Sequence, residues 1–148
     1  ALQHDQLTWW QYPLDVERMH QAAQSLLGEH DFTSFRAKDC QAKSPIKTMH
    51  HIQVRRFGNI IMLELECSAF LYHMVRNIVG TLLPIGQGNK PVEWMAEVLE
   101  AKERKVAGVT APGEGLYFVG VQYPDEYSFI PCQPYGPVLL EPILSMQP

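Results

Sequence analysis

The chain has 148 residues, 46% of them hydrophobic and 19% charged, which is enough for one domain with a buried core. A net charge of −4 does not announce a polyanion partner, no apolar run is long enough to span a bilayer, and no signal-peptide pattern opens the sequence. The 3 cysteines, Cys40, Cys67 and Cys132, stand far apart, which argues against a disulfide framework or a cysteine-rich zinc site and fits a reducing cytoplasm.

Residues 1–13 read as a lead-in carrying Trp9, Trp10 and Tyr12. Asp15 is the predicted N-cap of a first helix, whose apolar face is Val16, Met19, Ala22, Ala23, Leu26 and Leu27, and Gly28 ends it. His20 lies off that face and reads as solvated. The segment Phe32 to Ala37 is irregular and pinned to the core by its two Phe side chains. A polar loop follows, up to Pro45.

Lys47 to Arg56 and Asn59 to Phe70 predict a hairpin turning at Phe57-Gly58-Asn59. On its second strand Ile61, Leu63, Leu65 and Cys67 face one way, and Met62, Glu64, Glu66 and Ser68 the other. His50 and His51 are strand neighbours facing opposite sides, so they make no two-histidine metal clamp, and no metal site is predicted.

The next helix is apolar on almost every face. Phe70, Met74, Ile78 and Leu82 form one row, and Leu71, Val75, Val79 and Leu83 the row beside it. Pro84, Gly86 and Gly88 are predicted to break it near Ile85. Arg76 sits in its middle, with His73 and Asn77 a turn away on one narrow polar stripe. A buried guanidinium is costly unless it meets acceptors. Two readings follow: the stripe reaches solvent, or Arg76 is placed to hold something negative.

Pro91 opens a further helix with Trp94, Met95, Val98 and Leu99 on its apolar face. Leu116 to Tyr123 reads as a strand apolar enough for the centre of a sheet. Residues 131–148 form a proline-rich tail after a domain spanning 14–130. The order predicts an α+β fold: a mixed or antiparallel sheet with helices on one face, a βαββαβ-like unit without a clear first strand. That gap, and an initial Ala, suggest a piece of something longer.

Charge is unevenly spread. From Arg36 to Arg56 six basic residues (Arg36, Lys38, Lys43, Lys47, Arg55, Arg56) face one acid, Asp39. Such a strip suits a polyanion, and equally suits a solvated loop. No P-loop, GxGxxG, GxSxG or HExxH motif is present.

Phe32-Thr33-Ser34-Phe35-Arg36-Ala37, His73-Met74-Val75-Arg76-Asn77-Ile78-Val79-Gly80, and Gly115-Leu116-Tyr117 with Tyr123-Pro124 resemble the C-terminal half of the bacterial tRNA pseudouridine synthase A family. The resemblance runs from about Leu14 to Glu141. It implies isomerisation of uridine to pseudouridine in the tRNA anticodon arm, by an aspartate that attacks the nucleoside, without cofactor or metal. It implies that Arg76 pairs with that aspartate, that Leu116 lines the pocket beneath the base, and that the enzyme is a homodimer with tRNA across both subunits. The target base must leave its stack, as base-modifying enzymes require.

The family's Arg-Thr-Asp-Ala-Gly type motif, which carries the aspartate, does not occur in this sequence. The expectation is therefore a half-enzyme inactive alone, with Arg36, Lys38, Lys43 and Lys47 on tRNA phosphates. A stand-alone RNA-binding or dimerisation module without catalysis is the alternative.

Overall fold

The computed structural model describes residues 6–123, so the predicted tail and Cys132 lie outside the described residues. The chain divides after Glu114, and the two parts are taken separately.

Up to Glu114 the architecture is an antiparallel sheet of three strands, β1 (Gly28–Asp31), β2 (Ile46–Phe57) and β3 (Ile60–Cys67), in the order β1-β2-β3. There are three helices, α1 (Val16–Ala23), α2 (Met74–Gly86) and α3 (Trp94–Ala101): α1 packs on β2, α3 meets β1, and α2 packs against α1 and α3. The Asp15 carboxylate accepts from the Arg18 N–H at 3.1 Å and caps α1. A 3₁₀ turn over Gln24–Leu26 carries α1 on to Gly28, whose φ of +94° bends the chain into β1. The hairpin turns at Gly58, φ +57°. Among the described residues no helix is long and apolar enough to cross a membrane.

The core joins Met19, Ala22 and Leu26, Phe32 and Phe35, Met49, Ile52 and Val54, Met74, Ile78, Leu82 and Ile85, and Met95, Val98 and Leu99. Full burial of such side chains contributes about 1.5–3 kcal/mol each. On β2, Met49, Ile52 and Val54 share the core face although a strand alternates with period two. A bulge reconciles them: Met49 pairs with Cys67, but His51 pairs with Glu66, so His50 is the extra residue. Beyond β1, Thr33 donates to the Asp31 carboxylate from its hydroxyl at 2.6 Å and its N–H at 3.0 Å. The hydroxyl bond above all holds this carboxyl below its usual range. The bonds support the turn above the unfolded carboxyl's pKa, and that support fades as pH falls through the lower, folded value.

Several expectations change. β1, a polar Gly-Glu-His-Asp stretch, is a strand that alternation does not reveal; it is held by its ladder to Ile46–Met49. The Arg76 helix begins at Met74, not near Phe70; Phe70 and Tyr72 are exposed, and His73 takes the left-handed region at φ +58°. Pro84 does not break α2 but lies within it. A proline removes one helix bond and presses on the carbonyl four residues back, here that of Gly80. The helix ends after Gly86, with Gly88 at φ +78°. His20 is not merely solvated, since its Nδ1 accepts from the Val54 N–H at 3.3 Å.

In the second part, residues 116–123 form no strand, and Leu116, Phe118 and Val121 are at least half exposed. The residues favour β-structure, yet a strand exists only with a ladder partner, and none pairs with this run among the described residues.

Helix α2 and the segment Gly108–Ala111 meet backbone to backbone. A β-carbon on Gly80 would overlap the Val109 carbonyl, and one on Gly108 would overlap the Gly80 carbonyl. We expect Gly80→Ala to destabilise the fold by about 1–3 kcal/mol, because rigid backbone cannot make room. Urea unfolding checks this, and an unchanged midpoint would mean that the close approach is not real.

Candidate functional site

Arg76 lies in the first turn of α2, partly buried. Its side chain and its backbone grip the same residue. Nε donates to the Ala111 carbonyl at 2.7 Å, and the Ala111 N–H donates to the Arg76 carbonyl at 3.1 Å. Nη1 donates to His73 Nε2 at 3.1 Å. The guanidinium only donates, so Nε2 must be the unprotonated nitrogen of a neutral ring. The His73 ring is stacked on Tyr72, centroids 3.9 Å apart and planes 25° apart. The one ion pair among the described residues is Arg55–Glu64 on the hairpin, at 2.7 Å. Arg76 is thus oriented by two neutral acceptors, and its remaining Nη donors meet no acceptor among the described residues.

The segment that supplies Ala111 is itself tied down, from Asn77. Asn77 is fully buried, and neither polar atom of its amide is left without a partner. Its Nδ2 donates to the Phe35 carbonyl at 2.8 Å, and its Oδ1 accepts from Arg104 Nη2 at 2.9 Å and from the Thr110 hydroxyl at 2.7 Å. Arg104 also donates to the Gly108 carbonyl at 3.0 Å and to Thr110 Oγ1 at 2.9 Å. Thr81 Oγ1 accepts the Gly108 N–H at 3.0 Å. This network holds residues 104–111 along α2. The sequence places Asn77 on a polar stripe but gives no sign of its partners, which arrive from 42 residues before it and from 27 and 33 residues after it. Arg104 and Thr110 carry no sequence signal at all.

The basic loop adjoins the start of α2. The Ala37 N–H donates to the Tyr72 carbonyl at 3.1 Å, and the Tyr72 N–H donates to Cys40 Sγ at 3.3 Å. That N–H, the Ala42 N–H and the nearby Arg36 guanidinium lower the Cys40 thiol from its ordinary pKa. Arg36 is engaged within the loop: Nη2 donates to the carbonyls of Cys40 at 2.9 Å and Ala42 at 2.8 Å. Lys38 and Lys43 are exposed on the loop that it folds. Lys47 stands on β2, in register with His30 of β1. Leu116 belongs to the part after Glu114 and is 50% exposed. No group of three or more His, Cys, Asp or Glu side chains among the described residues is arranged to hold a metal.

Chemically, the arrangement presents a fixed cation, with planar donors that meet no acceptor among the described residues, beside a loop bearing two exposed lysines. A carboxylate or a phosphate is the natural complement.

Comparison with known proteins gives a consistent result. A family model described as tRNA pseudouridine synthase matches residues 22–124. The chain is 54% identical over 136 residues to a tRNA pseudouridine synthase A of Pseudomonas aeruginosa, covering 92% of the chain and 47% of that protein. To those of Cronobacter sakazakii and Klebsiella pneumoniae it is 53% and 52% identical over 134 residues, covering 90% of the chain and 49% of each protein. The chain thus spans about half the length of the curated relatives it matches.

Asn77→Ala would strip Arg104 and Thr110 of a buried acceptor and orphan the Phe35 carbonyl. We expect a loss of about 1–3 kcal/mol and faster amide exchange at Gly108 and Ala111 than at core amides of β2. Uniform exchange throughout would instead mean that Asn77 does no more than fill space.

Proposed function

Since this chain belongs to the tRNA pseudouridine synthase family, we propose that it forms one wall of a uridine-isomerising active site whose nucleophile comes from a segment outside this sequence. The observation that carries the proposal is the state of Arg76: held by Ala111 and His73, with Nη donors to spare and no carboxylate partner among the described residues. An aspartate in an apolar pocket would have its pKa raised and its nucleophilicity near neutral pH reduced. A guanidinium in bidentate contact opposes that shift and aims the carboxylate at the nucleoside.

In the proposed reaction the aspartate attacks the nucleoside and the bond from sugar to base nitrogen breaks. The base rotates, a bond forms from the sugar to a base carbon, that carbon gives up its hydrogen as a proton while the freed ring nitrogen takes one up, and the aspartate is released. The change is an isomerisation, neutral in redox terms, and so needs no net oxidant or reductant. Leu116 is proposed as the apolar floor under the base once residues 116–123 have a sheet partner. The substrate is proposed to be the anticodon arm of tRNA, in the cytoplasm where tRNA is processed. A homodimer is the proposed assembly.

Lys38 and Lys43 are the proposed phosphate contacts, with Lys47 a further one from the sheet. Such contacts position the RNA without reading its sequence. Arg36 is assigned the lesser part of folding the loop that carries the two lysines, because both Cys40 and Ala42 occupy its Nη2.

Two experiments on the enzyme that contains this half test the reading. Arg76→Ala and Arg76→Lys should each abolish turnover on tRNA while affinity stays within a few-fold of wild type, because a lysine restores the charge but not the planar fork. Equal losses of affinity and turnover would make Arg76 a docking residue instead. Lys38→Ala with Lys43→Ala should weaken tRNA binding and lower the slope of log affinity against log salt by about 0.7–0.9 for each phosphate no longer neutralised; an unaltered slope would remove both lysines from the interface.

A further inference from the structure

His73 stands in an uncommon backbone conformation. Its φ of +58° lies in the left-handed region that glycine enters freely and that other residues adopt uncommonly, asparagine, aspartate and histidine more often than the rest. It precedes α2 directly, yet its side chain makes no capping bond to the helix. A glycine or asparagine would satisfy the backbone there with less strain. What the histidine adds lies in its ring: Nε2 accepts from Arg76 Nη1 at 3.1 Å, and the ring face lies against Tyr72. The contact to Arg76 is what a histidine supplies at this position and a glycine would not.

The geometry of Arg76 shows what the contact achieves. Were the Ala111 carbonyl the sole partner, the guanidinium would pivot about that one bond through Nε. A second bond, at Nη1 and from a different part of the chain, removes the pivot. The donors left over, on Nη1 and on Nη2, are then fixed in direction. Tyr72 fixes the plane of the histidine in turn, and the Tyr72 backbone is bonded to Ala37 and Cys40 of the basic loop. The orientation of Arg76 is therefore tied to the loop that bears Lys38 and Lys43.

We infer that His73 is a positioning residue for Arg76, which through Nε2 and together with the Ala111 carbonyl locks the guanidinium so that its free Nη edge meets the incoming carboxylate in one orientation. The inference rests on the role proposed above for Arg76. His73 itself touches neither substrate nor nucleophile. It converts a cation that is merely present into one that is aligned, and alignment is where rate is gained once binding is secured.

The test uses the enzyme that contains this half, with single-turnover rate and tRNA affinity measured for four variants. His73→Gly and His73→Asn suit the left-handed backbone and fail to reach the guanidinium. Both should fold with thermal midpoints at or above wild type, keep tRNA affinity, and lose about 10- to 100-fold in rate, as expected for a misaligned reacting group. His73→Gln, whose Oε1 can accept from Nη1, should recover most of that rate. Arg76→Ala provides the reference. Wild-type rates in well-folded His73→Gly and His73→Asn would overturn the inference, as would a loss confined to affinity, or a His73→Gln no better than His73→Gly. If Arg76→Ala turned over normally, the failure would lie in the role proposed for Arg76, and the assignment of His73 would go with it.

Discussion

A guanidinium cannot be taken into a packed interior without acceptors, and everything around α2 follows from how that demand is met at Arg76. A carboxylate on the same domain would satisfy it most simply, and would also consume the cation. Here the acceptors are neutral: a backbone carbonyl and an imidazole nitrogen. Neutral acceptors stabilise the charge enough to keep it in place and leave its capacity for an ion pair unspent. In the role proposed for Arg76, that distinction separates an arginine that holds a fold together from one kept ready for a partner.

Supplying a backbone carbonyl at the right point takes a good deal of structure. The segment 104–111 has no regular element beyond a short 3₁₀ turn at Arg104–Val106, so ladder bonds cannot fix it. Asn77, Arg104, Thr81 and Thr110 do so instead, with side chains standing in for a strand partner. Gly80 and Gly108 let the two backbones approach closely enough for this to work. Pro84 is part of the same arrangement, since it frees the Gly80 carbonyl at the place where Gly108 comes nearest. Arg76 and Asn77, adjacent in sequence, serve opposite ends: one offers its donors outward, the other spends its amide inward.

How much of this the sequence discloses depends on how local each feature is. The cap at Asp15, the turn at Gly58 and the apolar face of α3 are decided within a few residues and are legible. Arg76 is legible as an anomaly, a charge on an apolar helix, though not its partners. β1 is hidden because a short polar strand is made by its neighbour's backbone and not by its own alternation. The bulge at His50 is hidden because two successive histidines read equally well with or without an extra residue. The bond between Asn77 and Arg104 is hidden because a contact between residues 27 apart leaves no periodic trace. The strand expected at Leu116 fails for the reverse reason, since propensity is present and no described strand pairs with this run.

The resemblance in three short motifs points to the family, which the comparisons establish over residues 22–124. His73, three residues before Arg76, reaches its guanidinium, and Asn77 anchors the segment that supplies the carbonyl. The most direct measurement is a crystal structure of the two halves together. The account predicts both oxygens of the attacking aspartate at about 2.7–2.9 Å from the Nη atoms of Arg76, as in a forked ion pair, with the bonds to Ala111 and His73 kept. A carboxylate standing apart from Arg76, with the guanidinium turned to phosphate or to water, would contradict it.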